Sequence, residues 1–338
     1  MTGRYFFASV TRIARLAETP FEVRPLPREQ WQSGDYIAGE VCESTGAMRS
    51  VELVDGRMTE AFPADCVIGA LGKRAATLEA VGDWEAIGDD LRLEAMTSAG
   101  LFGKVTSKSV YCPTLMMLDY VGHVLIDGSK LNMSACVAAV PARRFQTPTV
   151  LVVGTSMSAG KTTSARTIIR ELKAAGLKVV AAKLTGAARY RDVLSMADAG
   201  ADRIFDFVDA GLPSTVCPAE QYHAALSTLL SSMAAAEADV AVVEAGASPL
   251  EPYNGATAIG ELLPNVRFTL LCASDPYAVV GVMQAFDRKP DLVAGGAANT
   301  ESAVDLVDRL TGVKALDLQD RRSLPALRAM LRERLGIH

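Results

Sequence analysis

The stretch that most constrains the fold of this chain is Thr149–Thr163, with the sequence TVLVVGTSMSAGKTT. A run of β-branched and apolar residues, Val150–Val153, is typical of a buried strand. Gly154 and a Ser/Gly-rich loop follow, and the loop ends at Lys161–Thr163, where a helical pattern begins. A strand, a small-residue loop and a helix N-terminus in this order form the arrangement that binds phosphate groups.

Each part of this stretch has a chemical role in phosphate binding. Backbone N–H groups of the loop and the helix dipole face the phosphates, the lysine reaches the terminal phosphates, and the hydroxyl after it binds Mg²⁺. The sequence therefore predicts Lys161 as a catalytic and phosphate-binding residue and Thr162 as a metal ligand. The predicted nucleotide-binding residues of this stretch are Thr155, Ser156, Ser158, Ala159, Gly160, Lys161, Thr162 and Thr163.

The spacing of the glycines departs from the usual P-loop pattern. Five residues separate Gly154 from Gly160, where G-x-x-x-x-G-K-[ST] has four. The alternative is an ordinary Gly/Ser turn between a strand and a helix. Because Gly-Lys-Thr-Thr lies at the junction itself, the pattern favours a P-loop.

Charge and composition limit the partners and the location. The net charge of −5 and a pI of about 5.4 argue against nucleic acid as the main partner. No run approaches the roughly 18 apolar residues of a membrane span. Arg4, Arg12 and Arg15 interrupt the first residues, so these residues lack the apolar h-region of a secretory signal. We expect a soluble, cytoplasmic protein without a membrane partner. The six cysteines are scattered and have no metal-site spacing.

The first part of the chain reads as a strand-rich domain over residues 1–140. Tyr5–Val10 resembles a first strand, and Tyr36–Cys42 and Met48–Leu53 read as strands joined by a turn at 44–46. Many short strands with Gly, Pro and Asp breaks predict a small barrel or a sandwich, with an open α/β sheet as the alternative. Residues 141–148 have a proline at each end and read as a linker.

The second part, residues 149–338, alternates strands with helices. Ala165, Ile168, Ile169 and Leu172 keep helical spacing after the loop, and Gly176 is suited to close that helix. Val313–Leu318 reads as the last strand. Alternating strands and helices predict an α/β fold with a mainly parallel sheet and helices on both faces.

Two charged residues end strands of this sheet, where ligands of such folds bind. Glu244 ends the strand DVAVV next to Gly246, and a carboxylate there would bind Mg²⁺. Lys183 ends the strand KVVAAK and would neutralise a substrate anion or a transferring phosphate. Both are predicted catalytic residues, and the alternative for each is a solvated charge at a strand end.

Three further residues complete the predicted site. Arg189 and Arg191, in a predicted loop GAARYRD, are suited to bind a carboxylate or phosphate of the substrate. Asn299, at a late strand end, would recognise a nucleobase. The alternatives are solvated loop charges and an ordinary turn asparagine.

These segments resemble the dethiobiotin synthetase branch of P-loop proteins, which includes the cobyrinic acid amidases and the partition and septum-site ATPases. The matching pieces are VVGTSMSAGKTT, AAKLTG, VVEAGA and the late AAN. The resemblance covers about Thr149 to Leu318. It implies that Lys161 and Thr162 bind phosphate and Mg²⁺, that Lys183 meets substrate and that Glu244 binds Mg²⁺.

The chain also departs from that branch. Ser156 stands where the synthetases have a loop acid and the partition ATPases a lysine, and Ala245 replaces a glycine. A preceding domain of this size is no part of dethiobiotin synthetase, so biotin synthesis is not expected.

The sequence thus predicts an enzyme that uses ATP and Mg²⁺ to activate or phosphorylate a small anionic substrate, as a ligase or kinase. The alternative is a nucleotide-dependent switch, an ATPase or GTPase that acts on a protein partner through the N-terminal domain. No Asn-Lys-x-Asp signature of guanine recognition is present, so ATP is favoured over GTP. A homodimer is expected, because the branch commonly dimerises.

Overall fold

The computed structural model describes residues 5–42, 49–246 and 248–337. The turn predicted at residues 44–46 lies outside these residues. The chain divides into two compact units. The first comprises the described residues of Met1–Ala139 together with Ala187–Arg191 and Phe207–Ala225, and the second comprises those of Val140–Gly186, Asp192–Asp206 and Leu226–His338.

The first unit is built from short strands. They are β1 (Tyr5–Phe7), β2 (Glu22–Arg24), β3 (Tyr36–Val41), β4 (Ser50–Glu52), β5 (Met58–Glu60), β6 (Cys66–Leu71), β7 (Lys73–Ala75), β8 (Ala80–Asp83), β9 (Arg92–Ala95), β10 (Leu101–Lys108), β11 (Met117–Ile126) and β12 (Ser129–Lys130). Short 3₁₀ helices lie between them at Ser9–Ala14, Arg28–Gln30, Trp84–Ala86 and Met133–Cys136.

The main sheet of this unit closes on itself. Pairing runs from β6 through β3, β11 and β9 to β10, and β10 pairs again with β6. Gly69 makes the closure possible, because a Cβ there would lie 2.3 Å from the carbonyl oxygen of Gly100 and 2.6 Å from the Phe102 ring. Strands that pair on both sides have no free edge in the closed part of the sheet. Ile37, Leu93 and Phe102, from three of these strands, belong to one cluster of buried apolar side chains.

The first predicted strand is too long. Only Tyr5–Phe7 pairs as a strand, and a 3₁₀ helix follows from Ser9. Thr11 uses both its backbone N–H and its hydroxyl to donate to the carbonyl of Ala8. Such local bonds compete with strand pairing and turn the chain here.

The second unit contains a six-stranded parallel sheet in the order β15-β14-β16-β13-β17-β18. Its strands are β13 (Thr149–Gly154), β14 (Val179–Thr185), β15 (Arg203–Asp206), β16 (Val240–Ala245), β17 (Val266–Cys272) and β18 (Leu292–Ala294). The α-helices of the chain are α1 (Lys161–Ala174), α2 (Tyr190–Asp198), α3 (Ala219–Ala235), α4 (Gly255–Leu262), α5 (Pro276–Phe286), α6 (Glu301–Thr311) and α7 (Leu324–Leu335). They belong to the second unit except for the first residues of α2 and α3, which the division assigns to the first unit. Short 3₁₀ helices lie at Leu263–Asn265, Gly295–Ala298 and Arg321–Ser323.

These elements confirm the predicted α/β class. The apolar stripe predicted for α1 is buried at Ala165, Ile168, Ile169 and Leu172. Gly176 follows the helix in the left-handed region, with a φ of 82°. A parallel sheet flanked by helices accounts for the alternation seen in the sequence.

Two predictions for this part are wrong. Val313–Leu318 is not a strand: it pairs only at one bridge, between Ala315 and Val293, because the carboxylate of Asp317 accepts the backbone N–H of Gln319 and turns the chain. The predicted loop GAARYRD ends sooner than expected, because α2 begins at Tyr190.

In the part of the chain that the structure describes, no helix combines the length and the apolar character needed to cross a membrane.

A buried polar cluster stabilises the first unit. The carboxylate of Asp35, fully buried, accepts from Lys130 Nζ at 2.8 Å and from Asn132 Nδ2 at 2.8 Å. His123 Nε2 lies 3.4 Å from the same carboxylate. Burial alone would raise the pKa of Asp35, but the contacts with His123, Asn132 and Lys130 outweigh it and lower that pKa.

We expect Asp35→Asn to lower the free energy of unfolding by about 1–3 kcal/mol at pH 7, because buried donors lose a charged acceptor. A carboxyl with a lowered folded pKa contributes stability above its ordinary pKa of about 3.9 and loses that contribution as the pH falls through the folded value. Urea unfolding between pH 7 and pH 3 should therefore show that the difference in free energy of unfolding between wild type and Asp35→Asn becomes smaller as the pH falls.

The matched control is Asp119→Asn, on β11, whose side chain is 55% exposed and pairs with Arg92. An exposed pair of this kind contributes little. Equal stability of wild type and Asp35→Asn at pH 7 would contradict the assigned role of the cluster.

Candidate functional site

The loop between β13 and α1 has the backbone of a phosphate-binding turn. β13 is buried along its whole length and ends at Gly154. Ser158 and Gly160 have positive φ values of 65° and 95°. Gly160 precedes α1 and has no side-chain cap bond, so the first N–H groups of the helix point into the loop.

Lys161 lies folded over this loop. It is 5% exposed, and its Nζ donates to the carbonyl of Ser156 at 2.6 Å. A Cβ at Gly154 would lie 2.8 Å from Lys161 Nζ, so the glycine leaves the space that the lysine occupies. The first glycine of the motif therefore serves to position the lysine.

The hydroxyl of Thr162 and the carboxylate of Glu244 meet at the helix N-terminus. Thr162 Oγ1 donates to Glu244 Oε2 at 2.8 Å. The described residues hold no group of three or more His, Cys, Asp and Glu that could bind a metal without other ligands. Mg²⁺ in proteins is commonly held by one or two protein oxygens and by substrate phosphates, so the Thr162–Glu244 pair fits that ion.

The parallel register aligns the charged strand ends. Glu244 on β16 pairs in register with Val152 on β13 and with Lys183 on β14, and Lys183 pairs with Asp206 on β15. Lys183 and Glu244 are both buried. The two strand-end residues predicted from the sequence therefore lie side by side at the loop end of the sheet.

Burial sets the protonation of these groups. Burial raises the pKa of Glu244, although Lys183 and Lys161 oppose that shift. Burial also lowers the pKa of Lys161. For Lys183, burial would lower the pKa, but Asp192 and Glu244 outweigh it and raise the value, so this lysine stays charged.

Other loop residues of the predicted set hold the loop itself. Thr155 donates its N–H to the carbonyl of Cys272 at 3.0 Å, and its hydroxyl accepts from the N–H of Ser274 at 3.2 Å. Ser156 Oγ donates to the carbonyl of Met157 at 3.0 Å. Thr155 therefore ties the loop to the end of β17 and to the residues after it, and Ser156 ties the loop to itself.

The segment after β18 packs against the same loop. A Cβ at Gly295 would lie 2.3 Å from the carbonyl oxygen of Ala159, so only glycine allows this approach. Asn299 follows the 3₁₀ turn of this segment and is exposed. It precedes α6, which Thr300 caps by accepting from the N–H of Ala303.

Arg189 and Arg191 have exposed side chains and belong to the first compact unit. Arg191 lies in α2 rather than in the predicted loop. The N–H groups of Tyr190 and Arg191 donate to the buried carboxylate of Glu52 at 2.7 and 3.2 Å. A role of either arginine in substrate binding stays a prediction.

Sequence reasoning missed three acidic residues of the site. Asp192 forms an ion pair with Lys183, and Asp206 favours the charged form of that lysine. The carboxylate of Glu251 accepts from the N–H of Ser248 and favours the charged form of Lys161. In the sequence, Asp206 belongs to the series Asp198, Asp202, Asp206 and Asp209, whose three- and four-residue spacing favours a solvated acidic face over a metal site.

Comparison with protein families gives one match. The model of the DUF1611_C P-loop domain, described as a domain of unknown function, matches residues 136–290. A search of curated proteins gave no match. The match and the loop geometry together define the second unit as a P-loop domain.

Several solved structures are similar to the chain. A DUF1611 family protein from Anabaena variabilis is 15% identical over 58% of this chain, with a TM-score of 0.36, and the alignment spans 60% of that protein. HypB from Helicobacter pylori, in complex with nickel, is 14% identical over 56% of this chain and 88% of its own, with a TM-score of 0.39. A ParA family ATPase from Chlorobium tepidum is 14% identical over 55% of this chain and 92% of its own, with a TM-score of 0.32.

We expect Glu244→Gln to stabilise the ligand-free protein in the presence of EDTA as the pH rises. A carboxyl with a raised folded pKa stabilises the fold below its ordinary pKa of about 4.3 and loses that contribution as the pH rises through the folded value. Glutamine stays neutral at every pH. In thermal unfolding between pH 4 and pH 8, the melting temperature of Glu244→Gln relative to the wild type should therefore rise with pH.

The control for this series is Glu261→Gln, on α4, where the side chain is exposed. Its melting temperature should follow that of the wild type at each pH. A Glu244→Gln protein that melts below the wild type at pH 8 would contradict the assigned direction.

Proposed function

We propose that the second unit binds Mg²⁺-ATP and uses it to activate or phosphorylate a small anionic substrate, as a ligase or kinase. One observation carries the proposal: a P-loop threonine, Thr162, donates to a buried strand-end carboxylate, Glu244, at 2.8 Å beside a buried lysine, Lys183. A metal ligand pair and a cation at the end of the phosphate loop are the parts that phosphoryl transfer needs.

In this proposal, Thr162 and Glu244 hold Mg²⁺ together with phosphate oxygens. A bound Mg²⁺ supplies charge neutralisation at the transferring phosphoryl group. Binding of a cation also favours the ionised form of Glu244, whose pKa burial raises. The buried carboxylate is therefore costly in the free protein and useful in the complex.

Lys161 and the loop amides hold the terminal phosphates. In the free protein Lys161 Nζ donates to the Ser156 carbonyl, an interaction that a phosphate oxygen can replace with a stronger, charge-assisted bond. Thr163, Ser158 and Ala159 contribute to the phosphate cradle. Asn299, exposed beyond the Gly295 contact, would recognise the nucleobase.

Lys183 is the residue that supports a reaction beyond nucleotide binding. Its raised pKa keeps it a cation although it is buried, so it can neutralise a substrate anion or the charge that develops during transfer. Asp192 orients its Nζ. Arg189 and Arg191 are proposed to bind the substrate anion.

The first test is a thermal-shift screen with Mg²⁺ and ATP, ADP, GTP or CTP. ATP at about 100 times its Kd should add roughly 2.7 kcal/mol to the free energy of unfolding. We expect Lys161→Ala to abolish this shift, because the phosphates lose their main cation. The matched control is Lys173→Ala, on the same helix, where Lys173 pairs with the exposed Asp202.

No shift with any nucleotide would mean that the longer loop does not hold phosphate, and the proposal would fall. A shift that survives in Lys161→Ala but not in Lys173→Ala would place the nucleotide elsewhere.

The second test follows product formation with a panel of metabolite carboxylates, amines and alcohols. We expect Lys183→Gln to keep the ATP-induced shift but to lower the rate by about 100-fold, because it removes a cation from the developing charge. The control is Lys178→Gln, an exposed lysine immediately before the same strand.

ATP consumption without a product from any metabolite, together with a nucleotide-dependent dimer, would contradict the ligase or kinase assignment. That result would favour the alternative, a switch that acts on a protein partner.

A further inference from the structure

A cavity lies along α1, and neither Thr162 nor Glu244 lines it. It has a volume of about 280 Å³, and its lining includes Thr163, Arg166, Thr167, Arg170, Gln319 and Arg321. Nothing in the proposed function uses these three arginines.

The cavity begins where the phosphate loop ends. Thr163, Arg166, Thr167 and Arg170 follow each other at helical spacing and share one face of α1. At about 1.5 Å of rise per residue, this row extends about 10 Å from Thr163. A ligand held by the loop can therefore continue along the helix into the cavity.

Within the described part of the chain, the guanidinium groups of this cavity lack carboxylate partners. Among the residues that the structure describes, Arg166, Arg170 and Arg321 form no ion pair, and the Nε of Arg166 is buried without a hydrogen-bond partner. Glu171 also lines the cavity, but it already accepts from Arg328 Nε at 2.8 Å. The lining therefore has an excess of positive charge.

Three cations around one concave space repel each other unless an anion lies between them. Guanidinium groups bind phosphate through paired N–H donors, and threonine hydroxyls add further donors. Leu318 and Leu324 give the same cavity an apolar side, which suits a sugar or another carbon skeleton that carries the phosphate.

We propose that this cavity is a second phosphate subsite, which binds a phosphate group other than those held by the loop. The group has two possible sources: a phosphate on the ribose of a nucleotide whose 5′ phosphates occupy the loop, or a separate phosphorylated small molecule. The first source rests on the proposed nucleotide binding; the second does not.

Isothermal titration with three nucleotides and with inorganic phosphate tests the subsite. AMP is compared with adenosine 2′,5′-bisphosphate and adenosine 3′,5′-bisphosphate, which differ from it by one ribose phosphate. Inorganic phosphate is titrated separately, both into protein without nucleotide and into protein saturated with Mg²⁺-ATP. We expect either a bisphosphate to bind about tenfold more tightly than AMP or inorganic phosphate to bind beside ATP, as a charge-assisted contact would allow.

The arginine variants decide whether the cavity is responsible. In the double variant Arg166→Gln/Arg321→Gln, the tighter binding of the bisphosphates or the binding of inorganic phosphate should disappear. The affinity for Mg²⁺-ATP should stay within about twofold of the wild type. Arg170→Gln changes an exposed side chain of the same cavity and provides a second variant if the double variant does not fold. The control is Arg322→Gln, whose guanidinium is already bound by Asp320 at 2.7 Å.

The outcomes separate this inference from the proposed function. Probe affinities that are the same in wild type and cavity variants would overturn the subsite, even if ATP binds through Lys161. Inorganic phosphate that binds the wild type and not the cavity variants, in a protein that fails to bind ATP, would support the subsite and overturn the proposed function.

Discussion

The contact between Thr162 and Glu244 depends on the parallel register of three strands and on one helix start. Glu244 reaches the helix only because β16 lies between β13 and β14, so that its carboxyl end is next to the phosphate loop. The same register places Lys183 beside Glu244. Parallel strands end together at one edge of a sheet, and the charges that they deliver are therefore concentrated there.

These buried charges are stabilised by one another rather than by solvent. Glu244 lies between Lys161, Lys183 and the hydroxyl of Thr162, and Lys183 is balanced by Asp192. A set of this kind contributes little to stability compared with apolar packing, because each charge loses its hydration. Its presence at a phosphate loop is consistent with the proposed role in binding and transfer.

Glycine positions allow the close approaches that hold the site. Gly154 leaves room for Lys161, and Gly295 allows the segment after β18 to touch the carbonyl of Ala159. Gly246 allows β16 to end against β14, since a Cβ there would lie 2.2 Å from the carbonyl oxygen of Thr185. At Gly295 and Gly246 the close contact is with backbone oxygens, so a side chain there would force the backbone to move.

The sequence by itself determined the parts whose signals are local. The order strand, small-residue loop, Lys161, Thr162 and helix is read within one segment, and the apolar periods of α1 and of the strands predict the α/β class. Glu244 and Lys183 could be proposed because each follows an apolar strand directly. The strand predicted at Val313–Leu318 is wrong because strand pairing is not a local property. Ala315 forms one bridge with the distant Val293, and the chain then turns at Asp317.

Only the tertiary structure decided which of these residues meet. It placed Asp192, Asp206 and Glu251 around the two lysines, and it brought the arginines of α1 together with Arg321 around one cavity. It also assigned Arg189 and Arg191 to the first compact unit, whereas the phosphate loop belongs to the second. Such placements depend on strand order and on packing between distant segments. The apolar periodicity of a sequence predicts helices and strands but neither of these.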